Sequence, residues 1–210
     1  MTLVKICGIT RLDDAQLAVE LGASAIGFVF WPSSPRYIPP SRAAEIVEAL
    51  PPRVAFIGVF VDQTRNFVWN AAEQVGLTAL QLHGEETLAF AATLPRPVIK
   101  AVPVATDFSL EAVMDIPRSI TVLLDAHDPV RRGGTGETID WSAAAAVAWR
   151  RPIFLSGGLH AGNIREAIAR VNPHAVDISS GVESAPGIKD PAKLRALFAA
   201  LDREEEADDD

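Results

Sequence analysis

Two residues far apart in this chain could exchange protons with a substrate. Cys7 closes the short apolar run "LVKIC" and is the only cysteine; Asp125 closes "TVLLD". A thiol that ionises near pH ~8.5 can remove a proton and a carboxyl can supply one, which is the minimum equipment for general acid–base catalysis. His83 after "LQL" and Ser179 after "VDI" occupy similar places. Each also has an ordinary reading. A lone cysteine is commonly a small buried hydrophobe, an aspartate after a strand commonly a turn or capping residue, and His83 divides evenly between structural and functional roles. What favours chemistry is their shared position at the ends of apolar runs.

Of three glycine-rich stretches, two suggest an anion site and one a flap over it. "SGGL" contains Gly157 and Gly158, and "SSGVE" contains Ser179, Ser180 and Gly181. Glycines let backbone amides approach a phosphate closely, and serines add hydroxyl donors. The third, "RRGGTGE" with Gly133 and Gly134, reads as a flap within 126–138; it lacks the Gly-Lys-Ser/Thr of a Walker loop.

The elements that must position these residues follow one rhythm. Apolar runs at 3–7, 24–30, 54–61, 78–82, 97–102, 120–125, 152–156 and 175–179 read as strands. Helical stretches lie near 13–21, 41–50, 64–75, 85–93, 107–115, 142–149, 163–170 and 190–201, with start signals at Thr10, Ser41 and Asp190. Runs such as "AIGFVF" and "VAFIGVF" are apolar throughout, as parallel strands buried on both faces require. Eight strand–helix units without a linker predict an α/β fold, a single-domain (β/α)8 TIM barrel over 1–201. An open doubly wound sheet is the alternative; it usually has fewer strands and a Gly-x-Gly-x-x-Gly turn that "CGITRL" does not match.

Alternation then sorts side chains. Lys5 with Cys7, Gln81 with His83, Leu123 with Asp125, and Asp177 with Ser179 each share a face, opposite aliphatic neighbours. The aliphatic set must meet the helices, so the polar set lines the barrel, and its last members stand at the carboxyl ends where such barrels carry active sites. Lys5 lies deeper, with Asp177 as the expected partner of its ammonium. Loops after the seventh and eighth strands are where these barrels often bind phosphate, and here they hold the two serine–glycine motifs.

Composition narrows the partners. The net charge is −8, and the segment 202–210, "DREEEADDD", carries seven acids and one arginine, or −6, leaving −2 for the rest. That tail is expected to be disordered and argues against nucleic acid as a partner, while the nearly neutral body leaves a small-molecule role open. No run approaches the ~18 apolar residues of a membrane span. The opening residues lack a leader, and one cysteine makes no internal disulfide, so a cytoplasmic location is expected.

Together the motifs resemble the phosphoribosylanthranilate isomerases of tryptophan biosynthesis. The resemblance runs through "KICGIT" (5–10), "GFVF" (27–30), "SPRYI" (34–38), "GVFV" (58–61), "LQLHG" (80–84), "LLDA" (123–126), "GGTG" (133–136), "SGGL" (156–159) and "DISSGVE" (177–183). It implies a small-molecule sugar-phosphate substrate and an Amadori rearrangement of N-(5-phosphoribosyl)anthranilate to 1-(2-carboxyphenylamino)-1-deoxyribulose 5-phosphate, with no metal and no cofactor. By the same resemblance Cys7 is the general base, Asp125 the general acid and Arg36 the contact to the anthranilate carboxylate. The amides of "SGGL" and "SSGVE" are then the phosphate clamp. The assembly is expected to be a monomer or a homodimer. The run "AHDPVRR" after Leu124–Asp125 and the acidic tail depart from the family pattern. Competing readings are a histidine-pathway isomerase, which uses aspartate where Cys7 stands and has two phosphate sites; an aldolase using Lys5 or Lys100; and a sugar-phosphate sensor, which needs neither Cys7 nor Asp125.

Overall fold

The computed structural model describes residues 2–105, 108–126 and 139–202. Strands β1 (Leu3–Cys7), β2 (Ala25–Val29), β3 (Ala55–Phe60), β4 (Ala79–Leu82), β5 (Val98–Val104), β6 (Thr121–Ala126), β7 (Ile153–Leu155) and β8 (Ala175–Ile178) close into a barrel in chain order. Every neighbouring pair is parallel, and β8 returns to β1 with Asp177 opposite Lys5. Helices α1 (Leu12–Glu20), α2 (Pro40–Glu48), α3 (Arg65–Val75), α4 (Leu88–Ala91), α5 (Leu110–Met114), α6 (Trp141–Ala148), α7 (Ile164–Val171) and α8 (Pro191–Asp202) follow the strands. This is the single-domain (β/α)8 barrel expected from the sequence; the tail beyond Asp202 lies outside the described residues.

The predicted alternation decides what fills the barrel. Ile6, Leu82, Leu124 and Ile178 face outward into the large core beneath the helices. Inside, Ala25, Ile57, Ile99, Ala101 and Leu123 form a small apolar layer, and Cys7, Val29 and Val59 form another above it beside Trp31. Polar side chains interrupt this interior only on β1, β4, β6 and β8, where Lys5, Gln81, Asp125 and Asp177 are all buried.

Helix starts follow local capping chemistry, with two corrections. Asp190 caps α8 as expected, its Oδ1 accepting from the N–H groups of Ala192 and Lys193 at 2.8 and 3.2 Å. Ser41 does not start α2; Pro40, whose ring presets the helical φ, is already the first helical residue. Thr10 does not cap α1, because its hydroxyl donates instead to the Gly187 carbonyl at 2.5 Å. Helices α4 and α5 are shorter than expected because Thr87 and Ser109 cap them late, accepting from Phe90 and Ala112 N–H. One element was not anticipated: a hairpin of β9 (Glu183–Ala185) and β10 (Ile188–Lys189), separate from the barrel sheet. Among the described residues no helix is long and apolar enough to cross a membrane.

Candidate active site

A cavity opens at the carboxyl ends of the strands, with Cys7, Trp31, Arg36, His83, Asp125 and Ser179 on its wall. Ser34, Gln81, Ser156 and Asp177 complete its polar lining. The strand-end residues singled out by alternation therefore meet in one place. Beneath Cys7, the Lys5 ammonium is fully buried and donates to Asp177 Oδ2 at 2.7 Å, as expected. Burial alone would lower the Lys5 pKa; the Asp177 carboxylate and Cys7 outweigh it and hold the ammonium above its usual range. Burial pushes the Asp177 carboxyl up, with Lys5 holding it back. Burial likewise pushes the Cys7 thiol up, opposed by the charge of Lys5. Space for the thiol comes from Gly27, its register partner on β2. A Cβ there would lie 2.8 Å from Cys7 Sγ and 3.1 Å from Lys5 Cε.

Asp125 is held at both oxygens. Oδ1 accepts the Ala126 N–H at 2.9 Å, and Oδ2 lies 3.3 Å from His83 Nε2. His83 Nδ1 in turn lies 3.0 Å from Gln81 Nε2, so β4 supplies a two-residue brace for the carboxyl on β6. Gln81 Oε1, Asp177 Oδ1 and Ser179 Oγ are buried without a hydrogen-bond partner among the described residues. Buried polar atoms are normally paired, and these three residues all line the cavity, which makes them ready contacts for a polar ligand.

Arg36 reaches the cavity from the loop after β2, but not as an isolated cation. Glu183 accepts from its Nε at 2.9 Å and from its Nη2 at 2.7 Å. Glu183 also accepts from the fully buried Lys189 ammonium at 2.9 Å. Burial would raise the Glu183 carboxyl, yet Arg36 and Lys189 outweigh it and hold the group below its usual range. Lys189 itself sits below its usual range, lowered by burial despite Glu183. The roles of Glu183 and Lys189 were missed from sequence. The available signal was "ESAPGIK", an acid and a base flanking a Pro-Gly turn.

The serine–glycine loops flank this cavity. Ser156 and Ser179 reach its wall, while Gly157, Gly158, Ser180 and Gly181 form the loops behind them. Gly157 and Gly158 adopt φ of 90° and 60°, turning the chain in a way L side chains resist. Asn163 Nδ2 fixes the turn by donating to the Gly158 carbonyl at 2.9 Å. Ser180–Val182 form a short 3₁₀ turn, and Gly181 packs so tightly that a Cβ would come within 1.9 Å of the Leu159 carbonyl oxygen. The two loops are thus in direct contact. Gly133 and Gly134, with most of the expected flap, lie outside the described residues. Among those described, no cluster of three or more His, Cys, Asp or Glu side chains could hold a metal.

Comparison with known proteins agrees with this geometry. Residues 4–200 match the family described as N-(5′-phosphoribosyl)anthranilate isomerase. A relative of that name from Citrifermentans bemidjiense is 51% identical over 199 residues, covering 95% of this chain and 96% of its own. The crystal structure of phosphoribosyl anthranilate isomerase from Thermotoga maritima superposes with a TM-score of 0.90 at 43% identity, covering 97% of this chain and all of that one (100%). A structure of the same enzyme type in complex with reduced 1-(o-carboxyphenylamino)-1-deoxyribulose 5-phosphate superposes with a TM-score of 0.86 at 41% identity, covering 97% and 100% of the two chains.

Proposed function

The chain belongs to the N-(5′-phosphoribosyl)anthranilate isomerase family, and from that premise we propose that Cys7 is the base and Asp125 the acid of its reaction. The activity is the isomerisation of N-(5′-phosphoribosyl)anthranilate in tryptophan biosynthesis. One observation carries the assignment of roles: Cys7 and Asp125 line a single cavity whose wall is completed by serines of the β7 and β8 loops. Substrate phosphate anchored at those loops leaves its ribose between a thiol on β1 and a carboxyl on β6.

The steps follow from the groups present. Asp125 gives its proton to the ribose ring oxygen. The C1–O bond breaks, the ring opens, and the anthranilate nitrogen takes up the positive charge as an iminium ion. The hydrogen on C2 becomes acidic, Cys7 thiolate removes it, and the resulting enolamine tautomerises to the ketone. Burial favours the neutral thiol, and the Lys5 ammonium beneath it favours the thiolate. Burial is the larger effect and holds the thiol above its usual range, so nearby positive charge limits that rise. The brace from Gln81 through His83 keeps the Asp125 carboxyl aimed.

The substrate carboxylate is assigned to Arg36, whose planar donors suit it. Phosphate is assigned to the loops of Gly157, Gly158, Ser179, Ser180 and Gly181. The assembly is a monomer or a homodimer; the Thermotoga maritima enzyme is described as dimeric. A cytoplasmic location belongs to the same reading, supported by a single free thiol.

The test is loss of phosphoribosylanthranilate fluorescence, run beside iodoacetamide inactivation with and without the reduced product analogue. Activity lost in step with labelling of Cys7, and protected by the analogue, supports the base. Full activity after stoichiometric labelling overturns it.

A further inference from the structure

We propose that Lys189 is a positioning residue for the isomerisation, its buried ammonium tying the main chain of Cys7 to the carboxylate that holds Arg36. The proposal rests on the assignment of Cys7 and Arg36 above. Lys189 comes from β10, in the hairpin that lies outside the barrel sheet, and its side chain is 0% exposed. The ammonium donates to the Cys7 carbonyl at 2.6 Å, to the Ser179 carbonyl at 3.3 Å and to Glu183 Oε1 at 2.9 Å. These three acceptors use its three protons. One belongs to the base, one to a phosphate-loop residue and one to the anchor of Arg36.

The hairpin is fastened so that this reach is fixed. Asp14 Oδ2 on α1 accepts the Lys189 N–H at 2.9 Å, Glu183 accepts the Gly187 N–H at 3.2 Å, and Thr10 holds the Gly187 carbonyl. Burying an ammonium is costly unless it is paired and fully hydrogen-bonded, and here every bond made in exchange lands on the site. A lysine serving only the hairpin would have no reason to contact β1.

A structural tie and an electrostatic one make different predictions. The charged groups around Cys7 are Lys5 and Asp177 from β1 and β8, Lys189 and Glu183 from the hairpin, and Arg36 from the β2 loop. His83 and Asp125 face the same cavity from the residue after β4 and from β6. Lys189 favours the Cys7 thiolate, and the Glu183 carboxylate bonded to Lys189 is expected to oppose it.

The experiment reads the pH dependence of iodoacetamide alkylation of the sole cysteine in the full-length protein, beside kcat and KM. Lys189→Met is expected to raise the alkylation midpoint by about one pH unit, slowing labelling roughly tenfold at neutral pH. Glu183→Gln is expected to lower it, and Lys189→Arg, which keeps the charge, to return it toward wild type. In Lys189→Met the acid limb of the kcat/KM profile should move with the alkylation midpoint, and KM should rise as Arg36 loosens. Midpoints unchanged in both variants, or moved in the same direction, overturn the proposal. Where Lys189→Met fails to fold, Glu183→Gln decides: an unchanged or raised midpoint overturns it. Because alkylation is read without turnover, a labelled wild type that stays fully active rejects Cys7 as base without touching this result.

Discussion

Gly181→Ala tests the phosphate end with the smallest available change. Its Cβ would lie 1.9 Å from the Leu159 carbonyl oxygen, and also 3.0 Å from His160 Cβ. Ordinary contact begins at 3.4 Å, so the β7 and β8 loops must separate by roughly 1.5 Å, the difference from 1.9 Å. The obstructing atom is backbone, so no side-chain rotation relieves it. Overpacking of this kind costs on the order of 1–3 kcal/mol in stability. The functional cost should be larger in proportion, because a misplacement of about 1 Å in a positioned site can cost ~10²-fold. The expected outcome is a KM for the phosphorylated substrate raised about 10- to 100-fold, with a modest fall in Tm. Inorganic phosphate or sulfate should inhibit wild type competitively and the variant far less. Equal inhibition constants in the two proteins would mean that the anion binds elsewhere. Gly158→Val is a less clean probe, since φ of 60° strains a β-branched residue before any ligand is considered.

Cys7→Ser and Asp125→Asn should each lower kcat by ~10²–10⁴-fold, the usual contribution of a positioned acid or base, with KM nearly unchanged; a loss confined to KM would assign them to binding. Arg36→Met should raise KM by an amount worth roughly 1.5–3 kcal/mol, the range for a charged hydrogen bond, and an unchanged KM would give the substrate carboxylate to another residue. Because Arg36 and Lys189 hold Glu183 below its usual range, its stabilisation is complete above the ordinary value of 4.5 and is lost as pH falls through the lowered one. The gap in unfolding free energy between wild type and Glu183→Gln should therefore narrow below about pH 4.5, and a gap that is flat with pH would show that the charge on Glu183 contributes nothing.

The barrel was legible because its information is local and periodic. Parallel strands buried on both faces must be apolar throughout, and β2 is, with all five residues buried. Cys7, His83, Asp125 and Ser179 could be assigned inward because strand alternation leaves no other face for their aliphatic neighbours. The pairing of Lys5 with Asp177 followed from the closure of β1 on β8, which brings residues 172 positions apart into register. Cap positions were less legible where two signals competed. Ser41 looks like a helix start until Pro40 is credited with one, and Thr10 looks like a cap until Gly187 accepts its hydroxyl.

Glu183 and Lys189 were hidden for a different reason. Nothing in a six-residue separation across a Pro-Gly turn says that the acid faces Arg36 or that the ammonium passes under the barrel mouth to the Cys7 carbonyl. Those contacts depend on the hairpin folding back over the β1 and β2 loops, a tertiary event without a periodic signature. The consequence bears on how the site works. Arg36 enters the cavity already paired with a buried carboxylate, so its guanidinium is oriented before substrate arrives and little side-chain freedom remains to be lost on binding. Its charge is balanced through Glu183 and then restored by Lys189, leaving this cluster of two cations and one anion net positive beside the serine–glycine loops and the Cys7 thiol. One buried arrangement thus joins β1, the β2 loop, the residue after β8 and the hairpin through Lys189 and Glu183, a connection no single strand could supply.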